Sequence, residues 1–498
     1  MPVWQNVAEH LVLSLIESER IPVKLTRSAV AIAAAALVAA GSVPAVHHLA
    51  ADGDTSKPVT TLDPAVSVVD STLAAPTSTE EAPKPSVVDA APSSEAPAVA
   101  TTTEVTVVDE VFAAEDPGKL ASDPVDAENP EVQGSELTSV PEEPVGHPDI
   151  KPLQEAPKTY KGVDQRWVSI MEQNKDVWKN EAISVHSPSM DRDIPVAIFH
   201  ATDENGQLVD NAPTVYLLNG AGGSEQDSDW VAQAFRQMFD TYGRAGVNVV
   251  VPQEGAFSYY VDWAAAPPVK NTFYKGKQMW STFLAHELPQ AVEPYMNADQ
   301  DRRAVAGLSM AATSVLLLAE HNPGFYDAVG SFSGCAATST PLPWEFVNLT
   351  VDRGAPGVMT PEHIFGERGS DYNRYNDALV NAAKLKGTAV YLSTGTGLAG
   401  EMDTAGYLKD RLVELGVDEA DASSRAFANA LTLQVEGGVI EAAMNACTHD
   451  LMVKMRANDV EVNHAELRNV GTHSWGSWRD DLKLSYDKVF KQALGLDK

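Results

Sequence analysis

Cysteine and positive charge are both scarce in this chain. Its 498 residues include two cysteines, which excludes a disulfide-dense scaffold and a cluster of thiolate metal ligands. Lysine and arginine together number 36 against 69 aspartates and glutamates, so the formal net charge is −33. Nucleic acid and anionic lipid headgroups would be repelled by such a chain, and both are therefore disfavoured as partners.

The N-terminal region lacks an apolar run long enough to indicate a membrane span clearly. Residues 28–41 are apolar and alanine-rich, and two basic residues shortly precede them. This arrangement is typical of an export signal, with small residues at cleavage points after Ala45 or Ala50. We therefore predict a signal segment over residues 1–50. The alternative is an uncleaved N-terminal anchor.

Aromatic residues are almost absent from the next hundred positions. Residues 51–160 contain 22 aspartates and glutamates, 5 lysines and 15 prolines. Such a composition cannot bury enough apolar surface to offset the entropy lost on ordering. We predict a disordered, extended linker over residues 51–159, acting as a tether or cell-wall stalk. The alternative is a tail that binds a partner.

From residue 160 to residue 498, apolar runs alternate with helical patterns. The helical candidates include residues 230–243 and 278–296. Strands that alternate with helices predict an α/β fold, with a mostly parallel sheet covered by helices on both faces. Ligands of such sheets bind beyond the carboxyl ends of the strands. The runs that predict buried strands are 214–223, 247–255, 303–309, 326–334 and 388–395.

A serine separates a short apolar run from a long one in "VAGLSMAATSVLLLAE", residues 305–320. A nucleophilic serine of this kind stands on a sharp turn between a strand and a helix. The turn needs small residues two positions before and two positions after the serine, and Gly307 and Ala311 meet that need. Ser309 is therefore a candidate nucleophile. The alternative is a small residue that packs where a strand meets a helix.

Several longer motifs, one of which contains Ser309, occur along the chain. The sequences "YLLNGAGGSEQDSDW", "YKGKQMWSTFLAHELPQAV", "AVAGLSMAATSVLLLAEHNPGFYDAVGSFSG" and "NVGTHSWGSW" occur in this order. Together they resemble the antigen 85 family of mycolyltransferases, and the acidic extension and the segment near 401–440 resemble its corynebacterial branch. The resemblance implies an α/β-hydrolase fold. It also implies an exported acyltransferase that acts on trehalose mycolates in the cell envelope.

The same resemblance implies a serine, histidine and glutamate triad. Ser309 corresponds to the nucleophile, and His473 in "GTHSW" corresponds to the general base. The family's acid corresponds to Glu441, with Gly437 and Gly438 predicted to mark a break before its helix. Position in the fold alone favours a different acid directly after the strand at 388–395. The candidates there are Glu401 and Asp403.

Further site residues follow from the resemblance. It implies oxyanion donors at the backbone N–H groups of Met310 and Ala221. Where the family carries an aspartate and an arginine that contact trehalose, this chain has Asn219 and Gly222, so an amide is retained and the charged donor is absent. Trp475 corresponds to a family residue beside the sugar and is predicted to stack on a pyranose. The alternative is a buried packing tryptophan.

The two cysteines lie in segments that are expected to converge near the site. Cys335 follows a central strand, and Cys447 follows Glu441 by six residues. In an oxidising compartment we predict a Cys335–Cys447 disulfide. Two buried free thiols are the alternative.

The sequence leaves three classes of function open. The first is transfer of a mycoloyl group from trehalose monomycolate to a hydroxyl of a second trehalose monomycolate, of arabinogalactan or of a protein. The second is ester hydrolysis by the same residues, and the third is an envelope-binding relative without activity. No metal or organic cofactor is predicted. The expected partners are trehalose mycolates and glycolipid or polysaccharide acceptors of the cell envelope, and the protein is expected to be a monomer that is secreted or located in the envelope. A helical insertion near residues 401–436 is interpreted as a lid or acceptor platform, or as a solvated helical pair.

Overall fold

A computed structural model describes residues 149–414 and 417–497 of the chain. Within these residues nine strands form one sheet in the order β1-β2-β3-β5-β4-β6-β7-β8-β9. The strands are β1 Ile150–Pro152, β2 Asn180–Ser187, β3 Arg192–Phe199, β4 Thr214–Leu218, β5 Asn248–Pro252, β6 Arg303–Leu308, β7 Ala328–Phe332, β8 Ala389–Thr394 and β9 His464–Leu467. β1, β2 and β3 join the sheet antiparallel at one edge. All the other neighbouring strands are parallel.

Helices cover both faces of this sheet. In the described ranges, none of them is both long enough and apolar enough to cross a lipid bilayer. They are α1 Arg166–Gln173, α2 Trp230–Tyr242, α3 (the consecutive segments Trp280–Thr282, Phe283–Glu287 and Leu288–Tyr295), α4 Met310–His321, α5 Pro341–Asp352, α6 Pro361–Phe365, α7 Asp371–Tyr375, α8 Ala378–Asn381, α9 Ala405–Glu414, α10 Glu419–Thr432, α11 Gly438–Ala457 and α12 Trp475–Ser485. A π-helical segment, Leu433–Gly437, joins α10 to α11, and Tyr486–Phe490 and Lys491–Ala493 extend α12.

The core consists of two apolar layers separated by the sheet. Successive side chains of a strand point to opposite faces. On β4, Tyr216 and Leu218 pack into the layer that contains α3 and α4, whereas Val215 and Leu217 pack into the layer that contains α1 and α2. Burial of both faces explains why the central strands read as continuous apolar runs rather than as alternating patterns.

The predicted fold class is confirmed. The five predicted strands correspond to β4, β5, β6, β7 and β8, and the two helical candidates correspond to α2 and α3. The pattern missed the antiparallel strands β1, β2 and β3, and it also missed β9. The linker boundary was placed too late, because Ile150–Pro152 lies within predicted linker 51–159 yet pairs with β2. The predicted signal segment and the rest of that linker lie outside the described residues.

The register of the parallel strands sets their carboxyl ends side by side. Leu218 of β4 pairs with Gly307 of β6, and Leu308 of β6 pairs with Phe332 of β7. Phe332 in turn pairs with Ser393 of β8. The residues that directly follow β4, β6, β7 and β8 therefore meet at one edge of the sheet, where ligands of α/β sheets bind.

The predicted disulfide is present. Cys335 and Cys447 are bonded, with their Cα atoms 4.9 Å apart and 112 positions apart in the chain. They pack with Ala337 and Met444 in a small apolar cluster. The bond attaches helix α11 to the segment that follows β7. In the chain-entropy model, closing a loop of this length stabilises the fold by about 4.7 kcal/mol.

Helix α4 contains one buried carboxyl group without a hydrogen-bond partner in the described part of the chain. Glu320 is 1% exposed, and neither of its carboxylate oxygens has a hydrogen-bond partner among the described residues. Burial raises its pKa well above the ordinary value; Lys384 lowers it in part and Asp377 raises it further. The folded protein therefore keeps this carboxyl group protonated at pH values where the unfolded chain has ionised it.

We expect Glu320→Gln to stabilise the protein selectively at higher pH. The stability contributed by a group with a raised folded-state pKa is complete below its unfolded pKa, about 4.3 for glutamate, and falls as the pH rises towards the folded pKa. Between these two pKa values, each unit of pH increase lowers the free energy of unfolding of the wild-type protein by about 1.4 kcal/mol. Urea unfolding at pH 4 and at pH 8 measures the effect, and Glu367→Gln, at an exposed position, is the matched control. An equal stability difference at both pH values would contradict the expectation.

Candidate active site

Ser309 stands on a strained turn between β6 and α4. Its φ is 56° and its ψ is −121°, a backbone conformation that residues with side chains rarely adopt. The turn is tight, because a Cβ atom at Gly307 would lie 2.6 Å from the carbonyl oxygen of Ala311. The backbone N–H of Ser309 donates to the carbonyl oxygen of Phe332 at 2.8 Å. This geometry leaves the serine side chain only partly buried at the carboxyl edge of the sheet.

Three distant residues form one series of hydrogen bonds at this edge. Ser309 Oγ lies 2.8 Å from Nε2 of His473, and Nδ1 of His473 lies 2.8 Å from Oε2 of Glu441. An ionised carboxylate can only accept, so Nδ1 carries the ring proton. Nε2 is then free to accept the proton of the serine hydroxyl. The arrangement has the geometry of a nucleophile, a general base and an orienting acid.

The carboxylate of Glu441 is fully buried and fully hydrogen-bonded. Its Oε1 accepts hydrogen bonds from the backbone N–H of Gly395 at 2.6 Å, from Ser333 Oγ at 2.8 Å and from Thr394 Oγ1 at 3.1 Å. Burial acts to raise its pKa, but the bonds from His473, Gly395 and Ser333 outweigh burial, so the net pKa is lowered. Glu441 therefore stays ionised and can stabilise a positive charge on the imidazole.

Sequence reasoning missed three of these partners. Ser333 follows β7 with a φ of 53°, and Thr394 and Gly395 end β8 and follow it. The available signal was their position at the carboxyl ends of β7, which neighbours β6, and of β8, the next strand in the sheet. Their residue types alone give no indication, because serine, threonine and glycine are common in such loops.

The two glycines before Glu441 do not interrupt its helix, and that prediction was wrong. Gly437 and Gly438 have helical φ and ψ values, and the helix continues from α10 through the π-helical segment into α11. Gly437 packs against Thr472 and His473, whereas Gly438 packs closely against the loop after β8. A Cβ atom at Gly438 would lie 2.7 Å from the carbonyl oxygen of Gly397. This close approach brings the loop containing Gly395 against the acid.

Neither alternative acid contacts the histidine ring. Glu401 is exposed and makes no hydrogen bond to His473 in the described structure. Asp403 is buried, but its carboxylate accepts hydrogen bonds from Thr472 and Ser474, the residues on either side of the histidine. Among the three candidate acids, only Glu441 contacts the ring of His473 in the described structure, and its role as the orienting acid stays a prediction.

The loop after β4 packs directly against the serine turn. A Cβ atom at Gly220 would lie 2.6 Å from Leu308 Cδ1 and 3.5 Å from Ser309 Cβ. Ala221 is only partly buried, and its carbonyl oxygen accepts a bond from the N–H of Phe257 at 2.9 Å. Met310 begins α4, and the first N–H groups of a helix have no intrahelical acceptor. Both predicted oxyanion donors therefore belong to backbone beside Ser309.

The structure corrects the prediction that Asn219 contacts a sugar. Asn219 is 1% exposed; its Nδ2 donates to the carbonyl oxygen of Pro252 at 2.9 Å, and its Oδ1 accepts from the N–H of Trp230 at 3.0 Å. The amide thus fixes the loop to the end of β5 and to the first turn of α2. Gly222 supplies no side chain in its place, so the charged donor of the family pattern is absent from this loop.

Trp475 lies at the start of α12 and is partly exposed. Its ring meets Trp230 edge to face at 5.2 Å and Trp478 at 5.4 Å between ring centroids. Trp478 in turn meets the ring of His473 at 4.9 Å. The tryptophan is therefore held rigidly close to the histidine, and stacking on a sugar stays a prediction.

Residues 401–436 form the helical segment that was predicted. Helices α9 and α10 pack on each other around Leu412, Ala422 and Ala426, a small core separate from the two main layers. The pair is inserted between Asp403 and Glu441. Its interpretation as a lid or acceptor platform stays a prediction.

One known protein family matches the part of the chain that carries this site. The family model described as "Putative esterase" matches residues 187–485, which is more than half of the chain. The chain belongs to this esterase family. The matched segment includes all three residues of the hydrogen-bonded series.

Among similar proteins is the diacylglycerol acyltransferase/mycolyltransferase Ag85A of Mycobacterium leprae, 32% identical over 224 residues. The alignment covers 45% of this chain and 64% of that protein. Ag85A of Mycobacterium tuberculosis is 32% identical over 221 residues, covering 44% of this chain and 61% of that protein. The chain therefore spans less than two thirds of the length of these relatives. The resemblance to the antigen 85 family is confirmed.

Among solved structures, MPT51 of Mycobacterium tuberculosis is similar at 21% identity and a TM-score of 0.44. The similarity covers 64% of this chain and 99% of MPT51. At this score it adds nothing to the fold described above.

Glu441→Gln should lower kcat for ester cleavage by about 10⁴-fold. The amide that replaces the carboxylate would no longer hold the imidazole in the tautomer that accepts the serine proton. Glu401→Gln is the matched control, because Glu401 is exposed and is expected to keep full activity. Steady-state kinetics with a chromogenic ester compares the two variants. Full activity in Glu441→Gln would show that another group orients the histidine.

Proposed function

We propose that this protein is an exported serine acyltransferase that moves a mycoloyl group from trehalose monomycolate to an acceptor hydroxyl. The observation that carries the proposal is the hydrogen-bonded series from Ser309 through His473 to Glu441. The similarity to enzymes named mycolyltransferases supports the choice of acyl group. Trehalose monomycolate, arabinogalactan and protein hydroxyls are the candidate acceptors.

In the first half of the reaction, Ser309 Oγ attacks the ester carbonyl carbon of the donor. His473 Nε2 takes the serine proton as the carbon–oxygen bond forms. The negative charge that develops on the carbonyl oxygen is stabilised by the N–H groups of Met310 and Ala221. Collapse of this intermediate breaks the bond to trehalose. The leaving oxygen receives the proton from His473, and the acyl group stays on Ser309.

In the second half, the acceptor hydroxyl takes the place of trehalose. His473 removes its proton, the acceptor oxygen attacks the acyl-enzyme, and the proton returns to Ser309 Oγ when the acyl–serine bond breaks. Glu441 remains ionised throughout, since its carboxylate is balanced by hydrogen bonds when the imidazole is neutral and also by charge when it is protonated.

Ester hydrolysis is the second candidate, and membership of the esterase family favours it. Water in place of the acceptor hydroxyl gives a free acid by the same steps. Recognition of the acceptor, rather than the triad, thus decides between transfer and hydrolysis. A binding protein without activity is disfavoured, because a strained, partly exposed serine within 2.8 Å of an imidazole nitrogen would have no use in it.

We further propose the cellular setting that the sequence indicates. Export would use the segment 1–50, and the acidic linker up to the start of the sheet would act as a tether in the cell envelope. Asn219 is removed from the proposed sugar contacts, and Trp475 is kept as the stacking surface. The loss of the family's charged donor at Gly222 predicts altered recognition of trehalose. The enzyme would act as a monomer without a metal or organic cofactor.

Purified protein supplied with trehalose monomycolate should form trehalose dimycolate. Ser309→Ala should reduce this product by about 10⁶-fold, because the covalent intermediate cannot form. Thin-layer chromatography and mass spectrometry separate the dimycolate from free mycolate. Free mycolate alone would favour the hydrolase, and neither product from the wild-type protein would contradict both functions.

A further inference from the structure

Asp403 has a buried carboxylate, and its hydrogen-bond donors include the two residues on either side of His473 in the chain. It ends the short helical turn Glu401–Asp403 after β8 and is 2% exposed. Its Oδ2 accepts hydrogen bonds from the backbone N–H groups of Gly400 at 2.9 Å and Thr472 at 3.1 Å. Its Oδ1 accepts from Thr472 Oγ1 at 2.8 Å and from Ser474 Oγ at 3.0 Å. Three of these four bonds thus come from the two neighbours of His473 in the chain.

The charge of Asp403 is balanced by these donors alone. No ion pair with Asp403 occurs in the part of the chain that the structure describes. Removing a partner from a buried carboxylate leaves an unsatisfied charged group, so the three bonds from Thr472 and Ser474 hold the histidine segment firmly. Thr472 is fully buried and Ser474 is 4% exposed, so bulk water has little access to the side chains that bind Asp403.

His473 is held from a second side by the helix that carries the acid. Its backbone N–H donates to the carbonyl oxygen of Gly437 at 3.0 Å, four residues before Glu441. The backbone around the histidine is thus fixed between Asp403 and the start of α11. This matters for catalysis because the ring must meet Ser309 and Glu441 at once, at 2.8 Å from each. A shift of the backbone would lengthen at least one of these two bonds.

We propose that Asp403 is the positioning residue of the general base. It acts through Thr472 and Ser474, whose side chains it holds, and thereby keeps Nε2 of His473 in reach of Ser309 Oγ. The inference rests on the proposed role of His473 in acyl transfer. It assigns a role in the reaction to a carboxylate that does not touch the substrate or the reacting atoms.

Asp403→Asn tests the proposal in the full-length protein. The amide keeps one accepting oxygen and loses the other, so one or two of the three hydrogen bonds to the histidine segment are lost. We expect kcat for p-nitrophenyl butyrate to fall about 10- to 100-fold with KM within about twofold, because misplacement of a catalytic group by roughly 1 Å has effects of this size. In the wild-type protein we expect the proton NMR signal of the His473 Nδ1–H to lie far downfield because of its bond to Glu441, and in Asp403→Asn this signal should move or disappear.

Asp377→Asn is the matched control. Asp377 is 1% exposed and likewise accepts hydrogen bonds, from the N–H groups of Thr338, Ser339 and Val380 and from the Ser339 hydroxyl, with no bond to the histidine segment. This variant should lose a similar amount of thermal stability while keeping kcat and the downfield signal. An equal loss of kcat in both variants would mean that Asp403 acts only through overall stability, which overturns the proposal.

Two further outcomes also overturn it: an Asp403→Asn protein that keeps wild-type kcat, or one that loses kcat with the downfield signal unmoved. If this variant does not fold, Thr472→Val and Ser474→Ala decide the question, since each removes a single hydroxyl donor. Wild-type kcat and an unmoved signal in both would refute the role of Asp403. The NMR signal is read without substrate, whereas failure of the proposed function would appear as a wild-type protein that cleaves no ester and whose Ser309 does not react with a fluorophosphonate.

Discussion

The buried carboxylate of Glu441 is the constraint around which the candidate site is organised. A charged group without exposure to water is costly unless each oxygen has partners. Here the partners come from four separate places, namely the segment after β7, the end of β8, the loop after β8 and the histidine segment. Satisfying one carboxylate therefore fixes the relative positions of the segments after β7 and β8 and of the histidine segment beside Ser309.

Close backbone contacts make this convergence feasible. At Gly307 the strand meets the first turn of α4, and at Gly438 the helix of the acid meets the loop after β8, in both cases at distances that leave no room for a side chain. The disulfide between Cys335 and Cys447 adds a covalent link between the segment after β7 and the same helix. Helix α11 is thus tied to the sheet edge on two sides of Glu441. The close contact at Gly438 and the disulfide together keep Glu441 in position near the strained turn at Ser309.

The helical pair α9 and α10 lies in the chain between Asp403 and Glu441. It begins directly after Asp403, which binds the neighbours of His473, and it leads through a continuous helix into Glu441, which binds the ring. Both ends of the insertion are therefore attached to groups that hold the histidine. Such an insertion can vary in length and surface while the residues at its two ends keep the geometry that the histidine needs.

The sequence by itself determined the central strands, the serine turn and the candidates Ser309 and His473, since buried parallel strands read as apolar runs and the motifs around these two residues are local. It left the acid open between Glu441, Glu401 and Asp403. Only the tertiary structure decided the antiparallel strands β1 and β2 and the parallel edge strand β9, because these three are partly exposed and leave no continuous apolar pattern. It also decided that Asn219 serves the fold and that Asp403 serves the histidine segment. A residue type and its position in the chain state what a side chain can bind; the partners it binds depend on loops brought together from distant parts of the chain.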